Sequence, residues 1–208
     1  MSPADIRVVL FDIGGVLVEP SGVDTMLRWM EYRVSAEEMW RMWLTSENVR
    51  AFETGRKSAE DFADALVSDF GLTVGPDEFL NELPRWSTTL FPGALELLQR
   101  LPSHYTRATL CNTNPIHWVE LMKTPLKDAF PRHFASHLIG RIKPDAEAFQ
   151  HVLDELNCGP ECVLFLDDNE LNVRGARTLG MNAVRVKGPG EAERALVDYG
   201  VLVSTAGS

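Results

Sequence analysis

RVVLFDIGG, residues 7–15, is an apolar run that stops abruptly on Asp12 and two glycines. An uninterrupted apolar segment of this length, closed by turn-forming residues, predicts a strand buried on both faces. Two further segments repeat the pattern: TRATLC (106–111) runs into Asn112-Thr113-Asn114-Pro115, and CVLFL (162–166) into Asp167-Asp168-Asn169. AVRV (183–186) predicts a fourth strand, and helical spacing recurs over 94–101, 118–122, 146–156 and 172–179. Strands alternating with helices imply an α/β chain: a Rossmann-like, doubly wound parallel sheet covered by helices on both faces. In such sheets ligands sit beyond the carboxyl ends of the strands, so Asp12, Asn112, Asp167 and Asp168 should converge on one crevice.

Residues 23–86 read differently. Ser35-Ala36-Glu37-Glu38 and Ser58-Ala59-Glu60-Asp61 resemble capping boxes, and Gly55, Gly71 and Gly75-Pro76 supply stops. A small helical domain inserted after the first strand, residues 21–87, is the expectation, with the core formed by 1–20 and 88–208. Its tryptophans and methionines are expected to serve in packing. The tail beyond Val203 is expected to fray.

Composition sets outer bounds. The chain has 208 residues, 45% hydrophobic and 24% charged, with a formal net charge of −10. That charge disfavours nucleic acid and anionic membrane surfaces as partners. Cys111, Cys158 and Cys162 form neither a CxxC pair nor an even disulfide framework, which suits reduced thiols and a cytoplasmic setting. No apolar stretch approaches the length of a membrane span. The five histidines show no zinc spacing and are expected to be structural.

The strand ends carry the chemistry. Asp12, a carboxylate with an ordinary pKa of about 3.9, is ionised at neutral pH and able to attack phosphorus. Asp167 and Asp168 are adjacent like charges, unfavourable without a cation between them, and Mg²⁺ accepts both carboxylate and phosphate oxygens. Lys143, just before Pro144-Asp145 and a helix start, is suited to neutralising a phosphate. Asn112 offers an amide donor, whereas Asn114 is expected to cap the helix entered at Pro115.

LFDIGGVLV, LCNTN, GRIKPDAEAF and FLDDNELNVRGARTLGM, in this order, resemble the haloacid-dehalogenase-like superfamily, and most nearly its bacterial sugar-phosphate branch, among them glucose-1-phosphate phosphatases. The resemblance implies a Mg²⁺-dependent phosphatase acting on a small phosphorylated metabolite through an aspartyl-phosphate, with the inserted helices as its cap. By it, Asp12 is the nucleophile; Asp12, the Gly14 carbonyl and Asp168 hold Mg²⁺ with Asp167 in support; and Cys111, Asn112 and Lys143 line the phosphate site. A monomer or homodimer is the expected state.

Two departures qualify this. Gly14 stands where the family places a second aspartate as general acid, a group contributing about 10²–10⁴-fold. Its loss predicts a preference for anomeric, acyl or aryl phosphates, or a surrogate donor. Glu19, Glu53 and His117 are the surrogates, though a solvated surface role is expected for each. Cys111 stands where a hydroxyl is expected, and a thiol is a weaker donor. The alternative is therefore a catalytically impaired protein that binds a phosphorylated ligand or a partner. Dehalogenation fits less well, because an unneutralised carboxylate cluster repels an acid substrate.

Overall fold

β1 (Val8–Phe11) is buried along its whole length, and the computed structural model, which describes residues 6–203, builds the chain around it. The tail expected to fray lies outside the described residues. Five helices follow: α1 (Val23–Trp29), α2 (Ala36–Thr45), α3 (Glu47–Glu53), α4 (Ala59–Phe70) and α5 (Pro76–Glu82), then a 3₁₀ turn at Leu83–Ser87. The chain re-enters the core with α6 (Ala94–Arg100), β2 (Thr106–Cys111), α7 (Pro115–Leu121), α8 (Leu126–Ala129), β3 (Arg132–Ala135) and α9 (Ser136–Ile139). α10 (Ala146–Leu156), β4 (Val163–Asp167), α11 (Glu170–Thr178), β5 (Asn182–Arg185) and α12 (Gly188–Asp198) complete it.

All strand pairs are parallel, in the order β3-β2-β1-β4-β5. The order follows from which strands can bear complete burial: β1, apolar throughout, and β4, apolar up to its closing Asp167, are buried along their whole length and pair side by side inside the sheet. Alternation along β1 serves both faces. Val9 and Phe11 pack with Leu97 and Leu98 of α6 and Leu196 of α12, whereas Val8 and Leu10 pack with Phe149 of α10 and Val173 of α11. This is the doubly wound arrangement.

β3 was not separable from a loop by sequence, because it is short, begins on Arg132 and His133, and has only Phe134 and Ala135 buried. α12 opens in Gly188-Pro189-Gly190, whose composition reads as a turn. Its proline sits in the first helical turn, where the missing N–H has no bond to lose. The helix expected over 118–122 starts at Pro115 because Asn114 Oδ1 accepts from the N–H groups of Ile116 and His117, at 3.1 and 3.0 Å. Ser35 and Ser58 cap α2 and α4 in the same way, at 3.1 Å each.

The helices between β1 and β2 have a core of their own. Phe62 stacks on Phe52 at 4.2 Å between ring centres and meets Phe79 edge-on at 5.9 Å. They also grip the sheet domain: Arg50 of α3 pairs with Asp145, and His117 Nε2 is 2.9 Å from the Leu83 carbonyl. Among the described residues no helix is long and apolar enough to cross a membrane.

Phe62 is fully buried, so Phe62→Ala should cost about 3–5 kcal/mol by emptying the centre of this cluster. Chemical denaturation measures it; a loss below about 1 kcal/mol would mean the helices do not share one core.

Candidate active site

The sheet places its three acidic strand ends side by side, and Lys143 ties two of them together. Lys143 Nζ donates to Asp12 Oδ1 at 2.8 Å and to Asp167 Oδ2 at 2.6 Å, with the lysine side chain 1% exposed. Burial works against the ammonium charge, yet the two carboxylates outweigh it and hold the lysine above its ordinary pKa. Asn112 fixes the lysine backbone: its Nδ2 donates to the Lys143 carbonyl and its Oδ1 accepts from the Lys143 N–H, both at 2.9 Å. The side chain grips a neighbouring loop, so its first effect is to position Lys143.

Asp167 is fully buried behind the cavity. Besides Lys143, it accepts from the Asn169 N–H at 2.8 Å and from Asn172 Nδ2 at 3.0 and 3.1 Å. Its oxygens are thereby occupied within the protein, which suits support. Asn169 caps α11 by accepting from the Leu171 N–H at 3.0 Å. Asp168 faces the cavity. Gly15 makes its approach possible: a Cβ there, where φ is +70°, would lie 2.3 Å from Asp168 Oδ2, whereas one on Gly14 would meet nothing within 4 Å.

The cluster is short of positive charge. Burial pushes Asp12 up to about 7, with Lys143 pulling it back and Asp167 and Asp168 adding to the rise. Burial and Asp167 likewise raise Asp168. Asp12, Asp167 and Asp168 each offer an oxygen within 4.8 Å of the others, an all-oxygen set matched to a hard divalent cation. Lys143 compensates one of these charges. The residues present therefore fit such an ion, with Asp12 and Asp168 on the open side.

The site floors a cavity of about 730 Å³. Its upper wall comes from the inserted helices: Met26, Met39, Trp40, Trp43, Leu44 and Trp86. Met26, Met39 and Trp86 pack as expected and also line the cavity. The buried Trp86 Nε1 has no hydrogen-bond partner among the described residues.

Cys111 also lines the cavity, its Sγ 3.6 Å from the Asn112 carbonyl. Burial, reinforced by Asp12, raises its pKa, so it stays a neutral thiol, as expected of a residue that is not a nucleophile. His133 is tied to Thr109 and the Lys127 carbonyl, at 3.0 and 3.2 Å.

The surface role expected for Glu53 and His117 is overturned, because Glu53 is buried and His117 is half-buried with both ring nitrogens held. His117 is pinned between Leu83 and Asn114, and burial lowers it to about 4, so it is neutral. Glu53 lines the cavity, and burial raises it to about 7. Glu19 is partly exposed at the rim. Asn172, Arg185 and Lys187 were not singled out by the motifs. The last two line the cavity at the end of β5, the same strand-end rule that selected the others. Arg185 Nε donates to the Asp168 carbonyl at 3.0 Å.

The chain is similar to known proteins in sequence and in fold. The family model described as haloacid dehalogenase-like hydrolase matches residues 6–180. The sesquiterpene phosphatase astK of Aspergillus oryzae is 28% identical over 180 residues, covering 84% of this chain and 87% of that one. The D-ribitol-5-phosphate phosphatase of Bacteroides thetaiotaomicron is 23% identical over 183 residues, covering 84% and 89%. A HAD family enzyme from the same bacterium, solved with magnesium and inorganic phosphate, shares the fold with a TM-score of 0.70 at 24% identity, covering 88% of this chain and 94% of the other.

A divalent ion bound by Asp12 and Asp168 should stabilise the fold, by about 2.7 kcal/mol at a hundred times its dissociation constant. For a chain of this size that is roughly 5–10 °C in Tm. Asp168→Asn should raise the Tm of the ion-free protein, by removing a half-buried like charge, and abolish the response to Mg²⁺. An equal Mg²⁺ response in the variant would remove Asp168 from the ion site.

Proposed function

This chain belongs to the haloacid dehalogenase-like hydrolases, and on that premise we propose that it is a magnesium-dependent phosphatase working through an aspartyl-phosphate on Asp12. One observation carries the reading: Lys143 bridges Asp12 and Asp167, and Asp168 stands beside them at the floor of a cavity. The magnesium and phosphate bound by the structurally similar bacterial enzyme support it.

In this reading Asp12, Asp168 and the Gly14 carbonyl hold Mg²⁺, which when bound neutralises phosphate charge and favours the ionised form of Asp12. The Asp12 carboxylate attacks phosphorus in line, an Oδ–P bond forming as the bond to the leaving oxygen breaks. Lys143 neutralises charge on the transferring group. Asp167 and Asn112 act by holding Lys143 in place, from its side chain and from its backbone.

The organic part of the substrate meets the inserted helices. The relatives' names divide between an apolar and a polyol phosphate, so the wall itself is the better guide. Trp40, Trp43, Leu44 and Met39 present a surface suited to an alkyl or prenyl group, and a sugar's hydroxyls would lose water against it for few hydrogen bonds in return. We therefore favour monophosphates of apolar alcohols over the sugar phosphates implied by sequence resemblance.

Asp12→Asn should reduce Mg²⁺-dependent phosphate release to background, and full activity in that variant would sink the nucleophile. For the wild type, a prenyl or long-chain alkyl monophosphate should exceed a sugar phosphate in kcat/KM by roughly 10²-fold. Burial of three or four methylenes, at about 0.8 kcal/mol each, accounts for that factor. A sugar phosphate turned over as well or better would overturn the substrate assignment.

A further inference from the structure

We propose that Glu53, carried on α3 of the inserted helices, is the proton donor to the leaving alcohol and takes the part that a carboxyl at position 14 would otherwise play. The proposal rests on the phosphatase reading and adds to it the group that completes the reaction.

Gly14 leaves the usual acid position empty of any carboxyl, and the space beside it is open. An alcohol leaving without a proton is a poor leaving group, so an active enzyme needs another donor lining this cavity. Three acids or bases were candidates. His117 is excluded by its locked, neutral imidazole. Glu19 is partly exposed and shares its surroundings with water. Glu53 is 9% exposed, lines the cavity with Asp12, Lys143 and Cys111, and has no ion-pair partner among the described residues.

A carboxyl in such a place is kept for its proton rather than for its charge. Its neighbour on α2 is the Trp43 indole, and the titratable groups facing it from the sheet domain are Lys143 and Cys111. The cations nearest in sequence are engaged elsewhere, Arg50 with Asp145 and Arg56 with Thr54. Burial holds Glu53 near 7, so both protonation states are populated at neutral pH, as a group that must give and regain a proton requires.

The chemistry balances. As Asp12 Oδ bonds to phosphorus and the P–O bond to the alcohol breaks, the Glu53 Oε–H proton passes to the departing oxygen. The Glu53 carboxylate then takes a proton from water as that water's oxygen attacks phosphorus. The Asp12 Oδ–P bond breaks, inorganic phosphate leaves, and both carboxyls return to their starting states.

Glu53→Gln keeps the shape and removes the transferable proton. Its kcat on an alkyl monophosphate should fall about 10²–10⁴-fold, with a loss at least ten times smaller on an aryl phosphate, whose leaving group needs little protonation. Wild-type alkyl turnover should decline above about pH 7, where Glu53 loses its proton, and the variant should lack that limb. Adding Gly14→Asp to Glu53→Gln should restore alkyl turnover, whereas Glu19→Gln should leave the wild-type profile intact. Equal losses on both esters would mean a structural role and overturn the proposal, as would retained alkyl turnover in Glu53→Gln or its loss in Glu19→Gln. A wild type inert on both esters would instead remove the phosphatase reading, and this proposal with it.

Discussion

A single buried ammonium organises this protein's chemistry. Lys143 is almost wholly withdrawn from water and is stable there only because two carboxylates from different strand ends meet it at 2.8 and 2.6 Å. Removing one partner of such a buried set leaves charge uncompensated and typically costs about 3–5 kcal/mol. The arrangement therefore constrains the fold as much as the fold constrains it. β1 and β4 must be neighbours in register, and the loop ahead of α10 must lie across their ends. Asn112, from the end of β2, holds that loop by a reciprocal pair of hydrogen bonds. Three strand ends thus cooperate to present one positive charge between two negative ones, and Asp168 beside them leaves the ensemble net negative. A divalent cation relieves that imbalance.

The sheet and its polar ends were legible in the sequence because central parallel strands must be apolar along their length, and a carboxylate closing such a run is conspicuous. Asp12, Asp167 and Asp168 could be picked out that way, and Lys143 by its place just ahead of Pro144-Asp145 and a helix start. The edge was not legible. β3 is half exposed, so burial imposed no pattern on it, and the glycines and proline at the start of α12 disguised a helix. Asn172 and Arg185 escaped notice for another reason: each works through a partner, Asp167 or the Asp168 carbonyl, and sequence spacing does not reveal which residues meet.

The inserted helices were the harder part. Their periodicity signals a bundle, and their aromatic residues look like ordinary core. What periodicity cannot say is which turn of which helix overlooks the strand ends. Met39 and Trp43 sit on the same face of α2, spaced four apart, and that face is shared between packing and cavity. Glu53 looked like a solvated acid because it ends a helix beside a Thr-Gly turn. Only the closure of α3 onto the sheet domain buries it, and this burial turns an ordinary carboxylate into one that titrates near neutrality.

The pairing of Arg50 with Asp145 has a mechanical side. Asp145 follows Lys143 by two residues, and Arg50 precedes Glu53 by one helical turn. The same short piece of α3 therefore anchors one domain to the strap bearing the ammonium and carries a carboxyl of the cavity. Lifting the helices away would separate both at once, so access to the site and the electrostatic state of its floor behave as one degree of freedom. A chimera that borrowed another protein's helices without an arginine at that turn would inherit their shape and lose their alignment.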